Sequence, residues 1–145
     1  MIGSFYAPKE GPEACLIVVA MNCTLGWYDG LRFRSASGRA EIADNEHLFG
    51  RAFLLSGDAL RQKMEDLVRD HPDRVKALVE QGLTYAEKFR NTENYDRHWP
   101  TAYGMGPMVA ALGGTPEPPP SLPVGDWDKA WEDAKNQVRA FYRVK

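Results

Sequence analysis

The sequence contains few of the residues that form covalent cross-links and metal sites. Of its 145 residues, two are cysteines and three are histidines. Cys15 and Cys23 lie eight positions apart, about 12 Å along a helix at the usual rise per residue, whereas a disulfide needs Cα atoms within about 7 Å. We therefore expect reduced thiols, which fit a cytoplasmic protein. The sequence has no CxxC or HExxH motif to indicate a zinc site.

The chain also lacks a strong charge of either sign and a long apolar run. Its formal net charge of −2 gives no electrostatic basis for binding nucleic acid. Its lysines and arginines are scattered, which does not favour a membrane surface. The longest apolar run, residues 14–21, is too short to span a bilayer. We expect a cytoplasmic protein, or a periplasmic one if a leader was removed before residue 1.

The composition is that of one globular domain. Hydrophobic residues make up 43% of the chain and charged residues 26%, which are ordinary values for a chain that buries a core. Apolar residues recur at helical spacing, which predicts a mainly α-helical fold of five or six helices. We expect a helical body over residues 1–114, a proline-rich strap over 115–124, and a C-terminal helix over 125–145 that packs on the body.

The first predicted helix starts near Gly11-Pro12 and is apolar nearly all round, as expected of a central buried helix. A buried strand is the alternative for residues 14–21, because three consecutive β-branched residues lie within that run. Gly26 should end or bend the helix. For residues 27–34 the alternatives are a loop and a short β-hairpin that turns at Asp29-Gly30.

Helical periodicity predicts three elements in the middle of the chain, over residues 39–55, 59–70 and 72–89. Pro72 separates the last two, since the residue before a proline avoids helical dihedrals. Gly82 lies inside the last of them, where we expect it to cost about 1 kcal/mol relative to alanine.

Two more helices are predicted towards the C-terminus. A short buried helix should run from about Pro107 and stop at Gly113-Gly114. The final helix should be capped by Asp126 and should dock on the body through a stripe of apolar residues. This stripe consists of Trp127, Trp131, Ala134, Val138 and Phe141.

The most unusual stretch is residues 94–114, in which residues 95–103 combine aromatic and charged side chains before an apolar run. Aromatic anchors beside arginine and aspartate have the composition of a protein interface. The alternative is that Trp99 and Tyr103 pack under the loop as core. Acidic residues earlier in the chain could face basic groups of a partner. The predicted partner-binding residues are Asp44, Glu46, Tyr95, Asp96, Arg97, His98, Trp99 and Tyr103.

Catalytic and cofactor-binding patterns are missing from the sequence. The two cysteines lie in its most apolar part, where a thiol is inert. Asp44 and His47 are one helical turn apart, a spacing that metal ligands use, but a solvated helix surface is the preferred interpretation. We predict no cofactor, no metal and no catalysis. The alternative is a small helical metal- or ligand-binding enzyme that uses His47, His98 and nearby carboxylates.

The opening of the chain carries a pattern that resembles the start of some bacterial polymorphic-toxin immunity proteins. Its residues are Tyr6, Pro8, Lys9, Glu10, Glu13 and Cys15, followed by Trp27, Tyr28 and Gly30. The resemblance covers about the first quarter of the chain. It implies a small non-catalytic protein that occludes the site of a cognate toxin delivered by a secretion system. A phage or assembly factor is an alternative with protein partners, and association into a homodimer stays open.

Overall fold

The computed structural model describes residues 7–33, 58–92, 95, 106–115 and 121–144. Within these ranges the chain forms five α-helices and a 3-10 turn over Val124–Asp126. The helices are α1 (Ala7–Arg32), α2 (Asp58–Asp70), α3 (Pro72–Arg90), α4 (Gly106–Ala111) and α5 (Trp127–Phe141). The predicted mainly α-helical fold is confirmed. The helix predicted over residues 39–55 lies outside the described residues.

Helix α1 is the longest element and settles the alternatives for the start of the chain. Residues 14–21 are helical rather than strand, and the helix continues through Gly26 as far as Arg32. The hairpin over residues 27–34 was therefore wrong for residues 27–32, and α1 does not end at Gly26. A glycine inside a helix costs only about 1 kcal/mol, and the turns after Gly26 bury Tyr28 and Arg32, which offsets that cost.

The N-terminal end of α1 carries a kink. Gly11 has φ +83° and ψ 177°, a combination that glycine adopts at little cost and that residues with a Cβ avoid. Pro12 follows directly, and proline is well tolerated at the first position of a helix. The regular part of α1 thus begins after Gly11.

Helix α3 runs parallel to α1. Near their N-terminal ends, Arg74 of α3 donates two hydrogen bonds to the carboxylate of Glu13, at 2.8 and 2.6 Å. Further along, a Cβ built on Gly82 would lie 2.7 Å from both the Ala20 Cβ and the Ile17 carbonyl oxygen. The two backbones therefore approach closely, and a glycine at position 82 is what permits the approach.

Helix α5 runs antiparallel to both. Arg139, near its C-terminal end, donates to both oxygens of Glu80 in the middle of α3, at 2.7 and 2.9 Å. This pairing holds the pKa of Glu80 below its usual value, chiefly through the hydrogen bonds from Arg139. Asp128, at the start of α5, lies 3.7 Å from Arg90 at the end of α3. The helix thus packs against the body along its length.

The described core consists of two adjoining clusters between these helices. One lies around the first half of α1 and contains Leu16, Ala20, Leu67, Val75, Leu78, Val79, Leu83 and Val138. The other lies around its second half and contains Leu25, Tyr28, Ala86, Tyr95, Ala130, Trp131 and Ala134.

Two details predicted for α5 were wrong, one in its apolar stripe and one at its N-cap. Phe141 is 66% exposed and does not belong to the buried face. Asp126 occupies the N-cap position, but its side chain makes no capping hydrogen bond. Because the 3-10 turn over Val124–Asp126 leads directly into the helix, the Asp126 backbone is already helical in conformation.

Helix α4 ends where the sequence predicts. Gly113 has φ +82°; its N–H donates to the Ala110 carbonyl, and the Gly114 N–H donates to the Val109 carbonyl at 2.9 Å. These two bonds form a Schellman motif. The expected burial was wrong, however, since Met108 is 55% exposed and Leu112 80% exposed.

The 22-residue stretch Gly11–Arg32 is long and apolar enough, by length and composition, to cross a membrane. This stretch is longer than the apolar run of residues 14–21 that the sequence analysis judged too short to span a bilayer. Core helices and signal sequences pass the same test. In this structure α1 packs between α3 and α5, as a core helix does.

Candidate functional site

The last turn of α1 carries a buried ion pair. Asp29 and Arg32 are three residues apart, so their side chains lie on the same helical face. Both side chains are buried, and the Arg32 guanidinium donates through Nη2 to Oδ1 of Asp29. Burial of two charges is unfavourable unless each is well paired. The groups around this pair therefore determine whether it stabilises the fold.

Tyr95 completes the pair from the segment that follows α3. Its hydroxyl donates to Asp29 Oδ1 at 2.5 Å and accepts from Arg32 Nη2 at 3.2 Å. Burial raises the pKa of Tyr95 well above its usual value, and the charge of Asp29 and the hydrogen bond to it raise it further. Arg32 lowers the pKa, but it does not outweigh these effects. Tyr95 is thus held as a protonated donor.

Aromatic rings surround the Arg32 guanidinium. Its Cζ lies 4.4 Å from the centroid of Tyr28, 4.9 Å from that of Phe33 and 4.8 Å from that of Trp127. Among the described residues, Nε and Nη1 of Arg32 have no hydrogen-bond partner. Cation–π contacts contribute most when both groups are removed from water. The rings therefore stabilise the charge where hydrogen bonds do not.

The segment before α5 also attaches to this turn. The Leu122 N–H donates to the Arg32 carbonyl at 2.7 Å, and Phe33 forms an isolated antiparallel bridge with Ser121. The Trp127 indole N–H in turn donates to the Leu122 carbonyl at 3.0 Å. Arg32 is thus contacted through both its backbone and its side chain. We call Asp29, Arg32 and Tyr95 the polar centre.

The polar centre has the chemistry of a structural site. Arg32 is fully buried and Asp29 nearly so, which leaves no route for a substrate to these atoms in this conformation. The raised pKa of Tyr95 also makes it a poor general base at neutral pH. No group of three or more potential metal ligands occurs within the described ranges.

The structure places Tyr95 in the core, where its hydroxyl faces Asp29 rather than solvent. The other predicted partner-binding residues lie outside the described residues. These are Asp44, Glu46, Asp96, Arg97, His98, Trp99 and Tyr103.

Asp29 and Arg32 are not among the site residues that the sequence predicts. Read as a hairpin, this stretch gives a turn at Asp29-Gly30 and an outward-facing Arg32. Read as a helix, it gives an oppositely charged pair at i and i+3, followed by Phe33 and preceded by Tyr28. That spacing would have indicated an ion pair on the apolar face of the helix.

Helix α4 offers a different kind of surface. Met108 and Leu112 are four residues apart and therefore neighbours on one face, and Val109 is also substantially exposed. The chain carries no Asp, Glu, Lys, Arg or His between residues 99 and 116. We call the exposed apolar side chains of Met108, Val109 and Leu112 the α4 face.

Comparison with known proteins found no protein-family model, no curated protein and no solved structure that matches the chain significantly.

Proposed function

We propose that this chain is a non-catalytic binding protein that inhibits a partner protein, in the manner of an immunity protein that occludes the site of a bacterial toxin. The observation that supports the proposal is the exposure of the α4 face. The N-terminal pattern that resembles immunity proteins agrees with it. A polar centre closed to substrates is also consistent with a binding protein.

The α4 face suits a protein partner for a physical reason. A helix of six residues is unstable in isolation, and the Schellman motif satisfies its last carbonyls without burying its side chains. Apolar area removed from water stabilises a complex by roughly 25 cal/mol per Å². Exposed side chains of this kind, held in a helical geometry, are typical anchors of a helix that enters an apolar groove.

The proposal is tested by co-expression of the chain with the product of a neighbouring gene. We expect a stable complex whose Kd, measured by calorimetry, rises at least about tenfold for Leu112→Glu, since a buried charge in an apolar contact costs more than 1.4 kcal/mol. Phe141→Glu is the matched control, because Phe141 is equally apolar and 66% exposed but lies on α5.

A growth assay tests the inhibitory role directly. Cells that express the toxic partner should grow when the wild-type chain is present and should fail to grow with Leu112→Glu. The absence of any complex with neighbouring products would contradict the proposal. A complex that Leu112→Glu leaves unchanged would remove the α4 face from it.

A further inference from the structure

Helix α5 buries little apolar volume for its length. Of its four buried residues, two are alanines, and only Trp131 and Val138 are large. Its ion pair with α3, between Arg139 and Glu80, is partly exposed to solvent, and pairs of this kind contribute little stability. The contact between α1 and α3 is closer, because their backbones meet at Gly82. Separation of α5 therefore leaves the α1–α3 contact in place and costs less free energy than global unfolding.

The start of α5 is attached to the polar centre through Arg32. The segment before the helix bonds to the backbone of this residue, since the Leu122 N–H donates to the Arg32 carbonyl at 2.7 Å. The Trp127 ring covers the guanidinium, with its centroid 4.8 Å from Cζ, and the Trp127 indole N–H donates to the Leu122 carbonyl at 3.0 Å. Docked α5 thus forms part of the wall that keeps water from Arg32.

We infer that α5 separates from the bundle as a unit, and that Tyr95 and Trp127 control this opening through Arg32. A buried guanidinium needs fixed acceptors, and the Tyr95 hydroxyl is one of the two side-chain acceptors described for Arg32. When α5 moves away, water reaches Arg32 and takes the place of that acceptor. The Tyr95 hydroxyl therefore stabilises the docked state more than the open one, although Tyr95 does not lie on α5. Tyr95 and Trp127 are the positioning residues of this device.

The opening of α5 controls access to the polar centre. In the docked state Arg32 is fully buried, and Trp131 of α5 packs edge-on against Tyr28, with centroids 5.2 Å apart. In the open state the guanidinium and the Tyr28 ring become accessible on α1. A molecule that contacts them competes with α5 and shifts the equilibrium towards the open state.

Native-state hydrogen exchange, measured by mass spectrometry at increasing urea concentration, tests the device without a partner. In the wild-type chain the amides of α5, and those of Tyr142 and Val144 that bond to its last turn, should exchange through an opening that leaves α1 and α3 protected. Tyr95→Phe should speed exchange in α5 by about two- to tenfold, the effect of one hydrogen bond. The slowest amides of α1 and α3 should speed to a similar extent, because global unfolding loses the same bond.

Gly82→Ala is the matched control, because it disturbs the contact between α1 and α3, which persists when α5 opens. This variant should speed exchange of the slowest amides of α1 and α3 and leave the opening of α5 unchanged. Trp127→Phe removes the indole N–H and keeps an aromatic ring over Arg32. It should speed exchange in α5 as Tyr95→Phe does.

Two results would overturn the inference. One is a wild-type chain in which α5 exchanges only together with α1 and α3, since α5 then does not open as a unit. The other is a Tyr95→Phe variant in which the slowest amides of α1 and α3 speed up but those of α5 do not, since the hydroxyl then has no part in docking α5. Neither result depends on whether a partner is found, so failure of this inference and failure of the proposed function are separate outcomes.

Discussion

At the residue scale, the unusual feature is a fully buried arginine with few hydrogen bonds. Arg32 has one carboxylate and one hydroxyl as acceptors within the polar centre, both at Nη2, and its remaining surface faces aromatic rings. Arginine suits this environment better than lysine, because its planar, weakly hydrated cation stacks on rings. Asp29 and Arg32 therefore depend on each other, since neither charge tolerates burial alone.

We predict that Arg32→Met destabilises the chain by about 3–5 kcal/mol, because it removes the buried cation that pairs with the Asp29 carboxylate. The double variant Asp29→Asn/Arg32→Met should recover part of this loss, since it removes both charges. Urea unfolding followed by circular dichroism measures both effects. Arg69→Met is the control, because Arg69 pairs with Asp66 at the same i, i+3 spacing but on the surface, and its unfolding midpoint should not change measurably. Equal effects at the two sites would contradict the argument.

Tyr95 gives a prediction for alkaline pH. Its pKa in the folded chain is raised above the unfolded value, which is about 10, so the folded chain holds this proton more tightly. The contribution is fully present below about pH 10 and is lost as pH rises, by up to about 1.4 kcal/mol per pH unit.

Unfolding at about pH 8 and pH 11 should show this loss in the wild-type chain. Tyr95→Phe should be about 1–2 kcal/mol less stable at pH 8, because it lacks the hydroxyl donor. It should also lose less stability between the two pH values. The same pH slope in both proteins would show that other groups cause the alkaline loss.

At the element scale, the contact between α1 and α3 depends on Gly82. We predict that Gly82→Ala destabilises the chain by about 1–2 kcal/mol, because the added Cβ overpacks a close contact with the Ile17 carbonyl oxygen and the Ala20 Cβ. This net loss is expected although alanine is the better helix former by about 1 kcal/mol. Gln81→Ala, at the exposed neighbouring position, should change stability by less than about 0.5 kcal/mol. A more stable Gly82→Ala variant in thermal unfolding would contradict the packing argument.

At the end of α5, a residue with a side chain occupies a position where glycine would be favoured. Arg143 has φ +54° and occupies the position of a Schellman motif in which glycine is usual; its N–H donates to Ala140, and that of Val144 to Arg139. We predict that Arg143→Gly stabilises the chain by roughly 0.5–1 kcal/mol, because it relieves the strain of a left-handed residue with a Cβ, less the added entropy of the unfolded chain.

Asn136→Gly in the middle of α5 is the control for this change. It introduces the same residue at a position with ordinary helical geometry, so it should destabilise the chain by about 0.5–1 kcal/mol. If both substitutions shift the thermal midpoint downwards, the backbone at Arg143 is not the source of strain.

The elements that the sequence predicted best are those in which local signals agree with packing. Pro72 and the apolar spacing gave α3 to within a residue, and Trp127 marked the start of α5. The last turns of α1, residues 27–32, were not predicted as helix, because Gly26 and Asp29-Gly30 favour a break locally and only burial between α3 and α5 overrides them. The addition of Tyr95 to the Asp29–Arg32 pair was not predictable, since Asp29 and Tyr95 are 66 positions apart and no periodicity connects them.

At the scale of the whole molecule, the arrangement is a central apolar helix with two flanking helices of opposite direction. The composition of α1 alone would suit a bilayer. Its environment differs from lipid, because Gly82, Tyr95 and Trp131 each contact it at a defined place. Transfer of α1 to a membrane would expose the apolar faces of α3 and α5 and would place Asp29 and Arg32 near hydrocarbon, where charged residues are costly.

We therefore predict that the folded chain does not bind vesicles of neutral and anionic lipid in a flotation assay. Arg32→Met provides the comparison, because a less stable bundle opens more often and exposes α1, so a larger fraction of this variant should float with the vesicles. Flotation of the wild-type chain, with its circular dichroism unchanged, would contradict the prediction. It would mean that α1 prefers lipid to its contacts with α3 and α5, and that the bundle is not the form in which the chain acts.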